Sequence, residues 1–151
     1  MKIEEHIISV NLPSHKKAIL NLLITSQWLN DEISDVLKPF DISSQQFNVL
    51  RILKGRKGRP ANLSSIQKRM LAKNSNATRL VDKLILKNLV VKKICEANKR
   101  KIEIFITNEG EDLLNNLNQV VESKEQSIIN QLTADEQIIL TELLTKIRNN
   151  E

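Results

Sequence analysis

The sequence predicts a mainly α-helical fold with one small β-hairpin and long helices toward both ends. Apolar residues recur at the three- and four-residue spacing of amphipathic helices along most of the 151 residues. They alternate in the manner of a strand only from Ile102 to Ile106. Ser, Thr or Asn stands before most of the helical runs, where a helix amino terminus needs a side-chain acceptor. A chain of this length forms one domain, or one domain with an oligomerisation element.

The first long helix is expected to begin at Pro13-Ser14 and to end at Pro39. Its first half is apolar around much of its circumference, whereas the surface helix of a monomer needs an apolar stripe only about 100° wide. The excess of apolar surface predicts contact with a second chain. Residues 1–38 are therefore expected to form an amino-terminal dimerisation helix.

A second helix is expected to open at a capping box formed by Ser43 and Gln46, and Gly55, Gly58 and Pro60 are expected to stop it. Ser64 and Gln67 have the same spacing and predict a short third helix. Asn74-Ser75 is the expected cap of a fourth. The apolar positions of the two short helices are Leu63, Ile66, Met70 and Leu71, then Ala77, Leu80, Val81, Leu84 and Ile85. Two short helices joined by a tight turn, the second with a polar outer face, form the helix-turn-helix pattern.

A change from helical to strand spacing follows at Val90. It predicts a hairpin whose basic turn contains Lys99, Arg100 and Lys101. Thr107 or Asn108 should cap the next long helix, and Thr133 with Glu136 has the spacing of a capping box for the last one. These terminal helices are apolar and acidic.

The charge of the chain is concentrated in its middle third. Between Arg51 and Lys101 there are 16 Lys and Arg residues against two acids, Asp82 and Glu96, which gives +14 and leaves −9 for the remaining residues. A block of this kind predicts a polyanionic partner. Charge alone fits either nucleic acid or an anionic lipid surface.

Several classes of protein are excluded by composition and spacing. One cysteine, Cys95, allows no intramolecular disulfide, and with His6 and His15 it makes no ordinary zinc site. The uncharged run 18–30 is too short and too polar for a membrane span or a signal peptide. No phosphate-binding loop, nucleophile–base set or metal cluster is visible, so we expect no enzyme activity, no cofactor and no metal. A reducing, cytoplasmic location is expected.

Five blocks of residues stand out in the middle of the chain, namely 63–67, 74–84, 87–90, 98–100 and 106–110. In sequence, order and spacing they resemble the winged helix-turn-helix regulators of the MarR family. Two positions depart from the family pattern. Asn88 stands where the family usually has Gly, a change that Asn tolerates because it also enters the left-handed conformation. Asn98 stands where the family usually has Asp, so the wing is expected to be held there by neutral hydrogen bonds.

Candidate DNA-binding residues lie on the second helix of the motif. If its apolar positions face inward, a 100° step per residue turns Ser75, Asn76, Arg79, Asp82 and Lys83 outward, with Thr78 on the flank. Short polar side chains suit base edges and phosphates, and the guanidinium fork of Arg79 suits guanine or phosphate. The alternative is a face that contacts only solvent, which the surrounding charge disfavours.

The wing and the first helix of the motif supply the remaining candidates. Arg100 is expected to enter a minor groove while Lys99 and Lys101 hold phosphates, the alternative being a solvated turn. Ser64, in the first matched block, is assigned to the same DNA-binding set. The loop 56–59 is expected either to contact phosphate or to be only solubilising.

The resemblance implies a homodimer that binds a pseudo-palindromic operator in double-stranded DNA and represses transcription, with residues 39–107 as the DNA-binding lobe and 108–151 as carboxy-terminal dimerisation helices. Family members respond to phenolic acids, oxidants or metals, and the sequence selects no effector. Trp28, Phe40 and Phe47 are expected to line an effector cavity or to be plain core. Cys95 is expected to be structural, although some relatives sense oxidants through cysteine. An architectural or protein-binding winged-helix module is the alternative function.

Overall fold

The computed structural model describes residues 12–149, in which six α-helices and one antiparallel hairpin follow each other along the chain. Their order confirms the predicted mainly helical fold with a β-hairpin wing. The elements are α1 (Ser14–Leu37), a 3-10 helix (Lys38–Phe40), α2 (Ser44–Lys54), α3 (Leu63–Arg69), α4 (Ala77–Leu86), β1 (Val90–Cys95), β2 (Asn98–Ile106), α5 (Asn108–Ile129) and α6 (Ala134–Arg148). His6 and the first 11 residues of the segment 1–38 lie outside the described residues.

The chain divides after Ser44 into two compact units, and α1 forms most of the first. Pro13 precedes the helix without a side-chain cap, and Leu37 ends it before the 3-10 helix that contains Pro39. Leu37 is the one buried residue of α1. Five large apolar side chains of this helix are exposed, namely Ile19, Leu22, Leu23, Trp28 and Leu29. The excess of apolar surface expected for this helix is thus confirmed in the single chain.

The core of the second unit is built from α2 to α5 and the root of the wing. Its fully buried side chains come from every one of these elements because each helix turns one apolar stripe inward. Burial of each such Leu or Ile contributes about 1.5–3 kcal/mol relative to exposure. The largest are Leu50, Ile66, Met70, Leu84, Ile104, Leu114 and Leu117.

Both short helices begin with an asparagine, which corrects the expected caps. Asn62 caps α3, and its Oδ1 accepts from Ser65 N–H at 2.8 Å while Ser65 Oγ accepts from Asn62 N–H. Asn76, rather than Asn74 or Ser75, caps α4. The expected Ser64–Gln67 capping box was therefore wrong. Asn has the same short reach as Ser and is an equally good acceptor at an extended N-cap residue.

The helix-turn-helix turn begins earlier than expected, because α3 ends at Arg69. Leu71, predicted to belong to the apolar face of this helix, lies in the turn and is 83% exposed. Met70 is buried and closes the apolar face instead. The periodic pattern overran the helix by two residues, a normal error at helix ends.

The wing is an antiparallel ladder that runs from Val90 opposite Ile106 to Ile94 opposite Ile102. Cys95 is then opposite Asn98, so three residues of β2, Lys99 to Lys101, have no counterpart on β1. The expected basic turn was wrong in this respect, since the turn is Glu96-Ala97 and the three basic residues form a bulge on β2. On its other side β2 is joined by Ala61, through hydrogen bonds of 3.0 and 2.8 Å with Ile104.

The caps expected for the two carboxy-terminal helices are confirmed. Thr107 caps α5, and Thr133 with Glu136 forms the capping box of α6. Helix α5 buries Leu114, Leu117 and Val121. By contrast, α6 buries no residue and exposes Ile138, Ile139, Leu140, Leu143 and Ile147. Within residues 12–149 no helix has the length and apolar character needed to cross a membrane.

Candidate nucleic-acid interface

Helix α4 presents a polar, basic face. Ala77, Val81 and Leu84 are buried, and they leave Thr78, Arg79, Asp82 and Lys83 exposed on the outer side. This inward and outward division follows from the 100° step of the helix, and it confirms the expected exposure of Arg79 and Lys83. Two of the four outer residues are basic and one is acidic.

The residues just before α4 are partly used by the fold itself. Asn76 Oδ1 accepts from Arg79 N–H at 3.0 Å, and this bond uses the amide oxygen to close the first helical turn. Ser75 was expected to turn its hydroxyl outward, and the structure contradicts this. Its Oγ is buried and has no hydrogen-bond partner within the described residues. A buried hydroxyl without a partner carries a desolvation penalty of about 1–3 kcal/mol, so Ser75 is a weak candidate for reading a base in this conformation.

An ion pair joins α4 to the wing. Asp82 Oδ1 on the helix and Lys92 Nζ on β1 are 2.5 Å apart. The outer face of α4 therefore has its one acidic side chain, Asp82, turned toward the hairpin. A second basic residue of the central block, Lys54, pairs with Glu111 of α5 at 2.6 Å. Thirteen of the 16 basic residues in that block are exposed.

A cleft of about 480 Å³ lies between the amino-terminal end of α3 and the wing strand β2. It brings together Ser64, Arg100 and Lys101, which the sequence placed in one DNA-binding set. Arg56 also lines the cleft, and Glu103 adds one acidic side chain. Lys99 and the residues of α4 do not line it. The cleft is therefore a basic surface shared by α3 and the wing.

The basic bulge of the wing is held by a side chain of its own strand. Asn98 Oδ1 accepts from Arg100 N–H at 3.1 Å, which confirms that a neutral hydrogen bond acts at the position where an acid was expected from the family pattern. Lys99, Arg100 and Lys101 are all exposed. Next to the bulge, the cross-strand pair Ile94 and Ile102 is 67% and 50% exposed. The outer part of the wing thus combines three cations with an apolar patch.

The loop between α2 and α3 is ordered by one of its own arginines. Arg56 Nε and Nη2 donate to Pro60 O at 3.2 and 3.0 Å, so this guanidinium braces the loop. Lys57 and Gly58 have positive φ angles of 52° and 79°. Lys57 and Arg59 are exposed, and they are the members of this loop that stay open for an anion.

The junction between α4, the wing and α5 is tightly packed. Asn88 has a φ of 58°, which confirms the left-handed conformation expected there. Thr107 Oγ1 donates to Asn88 O at 2.8 Å and accepts from Gly110 N–H at 3.0 Å. A Cβ on Gly110 would lie 2.2 Å from Leu89 O, so only glycine fits. This junction fixes where the hairpin leaves α4.

Two amide side chains that the sequence did not single out for this role hold the turn between α3 and α4. Gln67 Oε1 accepts from Ala77 N–H at 3.1 Å, and its Nε2 donates to Lys73 O at 3.2 Å. Asn48, on α2, accepts from Leu71 N–H at 2.9 Å. Gln67 was assigned to a capping box because of its spacing from Ser64. A local spacing rule does not reveal contacts that span ten or 23 residues.

The remaining candidates are dispersed. Cys95 is a free, half-buried thiol at the end of β1. Phe47 is buried with Arg51 over its ring at 5.6 Å, whereas Trp28 is 46% exposed, and their role in an effector cavity stays a prediction. In residues 12–149 no three His, Cys, Asp or Glu side chains are grouped as metal ligands.

Comparisons with known proteins agree with the geometry. The model of the MarR family matches residues 42–102. A mutant of MarR from E. coli, complexed with operator DNA, is 25% identical, with 83% of this chain and 89% of that chain covered and a TM-score of 0.72. BpsR of Bordetella bronchiseptica, described for regulation of its DNA binding by 6-hydroxynicotinic acid, is 18% identical, with 94% and 100% covered and a TM-score of 0.80.

A third structure is the organohalide-sensing regulator RdhR-CbdbA1625 in its 2,4-dichlorophenol-bound form. It is 17% identical to this chain, with coverage of 92% and 82% and a TM-score of 0.82. No curated protein sequence matches the chain.

Proposed function

Because the MarR family model matches residues 42–102 and the fold is that of solved MarR structures, we propose that this chain is a homodimeric regulator of the MarR type that binds a pseudo-palindromic operator in double-stranded DNA. The observation that carries the proposal is the concentration of exposed basic side chains on the helix-turn-helix and the wing, which the Asp82–Lys92 pair and the Ser64–Arg100 cleft connect. The two elements then act on one duplex.

Helix α4 is the recognition helix in this proposal. An α-helix with its side chains is about 10–12 Å wide, which matches a major groove about 12 Å wide. Arg79 and Lys83 project from the exposed face, where a guanidinium contacts guanine or phosphate and an ammonium contacts phosphate. Thr78 and the free amide nitrogen of Asn76 are short polar groups near the helix start. Ser75 contributes only if its buried hydroxyl turns outward on binding.

The wing takes the adjacent minor groove. Arg100 enters it, while Lys99 and Lys101 contact phosphates on either side. In a regular ladder successive side chains would point to opposite faces of the hairpin, whereas the bulge lets these three project together. Ser64 lies across the cleft from Arg100 and Lys101, so its hydroxyl donates to a phosphate between α3 and the wing.

The terminal helices build the dimer. Helices α1 and α6 each expose a row of large apolar side chains in the single chain, and covering such a row against a second copy removes it from water. We assign residues 1–38 and 108–151 to dimerisation and 39–107 to DNA binding. The two recognition helices then meet half-sites about 34–36 Å apart, or a multiple of that distance.

Repression with release by a small-molecule effector completes the proposal. Two regulators of the same fold carry or respond to small aromatic ligands, 2,4-dichlorophenol and 6-hydroxynicotinic acid. The protein acts as a cytoplasmic binding protein and not as an enzyme, and its operator overlaps a promoter so that bound dimer blocks polymerase.

Sequencing of genomic fragments retained by the purified protein tests the proposal. We expect enrichment of one inverted repeat with half-sites about 10–10.5 base pairs apart, or a multiple, near a promoter. Retention of fragments without a shared motif would favour an architectural binder. No retention at moderate salt would favour a protein-binding module and contradict the proposal.

A further inference from the structure

The turn of the helix-turn-helix is held by side chains from two different helices. Gln67 on α3 forms two hydrogen bonds with the turn and α4, to Lys73 O and from Ala77 N–H. Asn48 on α2 accepts from Leu71 N–H at the other end of the turn. Gln67 and Asn48 are both half-buried, and the bond from Ala77 N–H to Gln67 is partly buried as well.

These bonds satisfy backbone groups that form no hydrogen bond within a helix or the hairpin. Ala77 is the first residue of α4, and the first N–H groups of a helix lack a partner within it. Asn76 satisfies the N–H of Arg79, and Gln67 satisfies that of Ala77. Leu71 N–H belongs to the turn and would be unpaired without Asn48. The side chain of Leu71 is 83% exposed, so packing of that side chain does not hold the turn in place.

We propose that Gln67 and Asn48 are positioning residues that set where the first turn of α4 lies in the major groove, and hence how well the protein discriminates its operator. This inference rests on the proposed function. Ala77 is two residues from Arg79 and follows Asn76 directly, so a shift of its N–H moves both polar groups. Base readout depends on hydrogen-bond geometry, whereas attraction to phosphates depends mainly on charge.

The chemistry of the amide explains why glutamine suits this position. One side chain must donate to Lys73 O and accept from Ala77 N–H at the same time, and a primary amide has both groups on one carbon. Methionine has similar length with neither group, and glutamate retains only the acceptor. Gln67→Met therefore removes both bonds, and Gln67→Glu removes the bond to Lys73 O alone.

The test compares variants by the ratio of Kd for random duplex to Kd for the retained genomic operator, measured at one salt concentration. We expect Gln67→Met to lower this ratio about tenfold, the effect of a typical base mismatch, and to leave the random-duplex Kd within about twofold. Gln67→Glu should keep more of the ratio than Gln67→Met. Gln45→Met, the same change at an exposed glutamine of α2, is the matched control and should keep the wild-type ratio.

Hydrogen exchange adds a readout on the turn itself. The Ala77 amide should exchange faster in Gln67→Met than in the wild type and in Gln45→Met. If Gln67→Met does not fold, two variants of Asn48 give the same comparison. Asn48→Leu removes the acceptor for Leu71 N–H, and Asn48→Asp keeps it. If the wild-type ratio is well above one and the Gln67 and Asn48 variants preserve it, this inference alone is overturned. A wild-type ratio of one overturns the proposed function as well.

Discussion

Asp82 on α4 and Lys92 on β1 form an ion pair with a distance of 2.5 Å between Oδ1 and Nζ. Their side chains are 54% and 29% exposed, and a pair this open to water contributes about 0–1 kcal/mol to stability. Its main consequence is geometric, because it connects the proposed recognition helix with the wing strand that precedes the basic bulge.

Replacing Asp82 with Asn should therefore change discrimination more than stability. The variant loses the ion pair and one negative charge, so we expect tighter binding to random duplex and a lower ratio of operator to random affinity. Asp112→Asn, at an exposed position of α5, changes the net charge equally and leaves the Asp82–Lys92 pair intact. Fluorescence anisotropy with both duplexes measures the ratios. If the two variants have the same ratio, the pair has no role in orienting α4 and the wing.

Gly110→Ala should destabilise the protein by about 2 kcal/mol or more. The new Cβ would lie 2.2 Å from Leu89 O and 2.8 Å from Ile106 Cγ1, so backbone must move. Gly55→Ala is the control, since its Cβ would lie 3.4 Å from Arg51 O at ordinary contact distance. Urea unfolding of both variants measures the difference. Equal midpoints for the two would show that the junction of Leu89 and Gly110 yields easily.

Arg100→Ala should weaken binding to the operator about tenfold and change the slope of log K against log salt by less than the value of about 0.9 for one lost phosphate contact, because Arg100 enters the minor groove whereas Lys99 and Lys101 contact phosphates. The charge-matched control is Arg148→Ala in the last turn of α6, outside the proposed DNA interface. Titrations at three salt concentrations give both quantities. An unchanged operator affinity in Arg100→Ala would remove the wing from the mechanism.

The cap of α6 should be pH-dependent. Hydrogen bonds from the Thr133 N–H and hydroxyl to the carboxylate hold the pKa of Glu136 below its usual value. The stabilising contribution of Glu136 is thus fully present above the ordinary pKa of glutamate and is lost as the pH falls through the lowered pKa. In an NMR titration the Thr133 amide shift should have a midpoint below the ordinary pKa of glutamate. Glu136→Gln should abolish this transition, and a midpoint at or above the ordinary value would contradict the prediction.

Leu143→Asp on the exposed face of α6 should lower the dimer fraction. The proposed dimer predicts a wild-type mass of twice 17.3 kDa by analytical ultracentrifugation, and a charge in the apolar row disfavours burying it. Leu86→Asp is the control, because Leu86 is 84% exposed on α4, outside the proposed dimer helices. A Leu143→Asp variant that remains fully dimeric would show that α6 does not form the interface.

Sequence patterns predicted the elements that depend on local chemistry. The period of apolar residues gave the order of helices and hairpin, and the caps at Thr107 and Thr133 follow from side chains that bond within one turn. Asn88 was predicted in the left-handed conformation for the same local reason. The exposed face of α4 followed from helical geometry alone, so Arg79 and Lys83 were placed correctly.

Features that depend on distant contacts or on a choice between similar residues were missed. Asn62 and Asn76 cap the short helices, whereas the sequence pattern favoured Ser64 and Asn74-Ser75. The side chains of Ser and Asn are similar acceptors, so the pattern did not decide between them. The register break at Cys95, which moves Lys99 to Lys101 from the turn to a bulge, depends on pairing across the hairpin.

In the proposed function the helix-turn-helix and the wing bind duplex DNA in a sequence-specific manner. The most direct measurement is the affinity of the purified protein for its retained genomic operator and for a scrambled duplex of equal length and composition, at the same salt concentrations. We expect at least about a thousandfold tighter binding to the operator at moderate salt, with both affinities falling as salt rises. Equal affinity for the two duplexes at every salt concentration would contradict it.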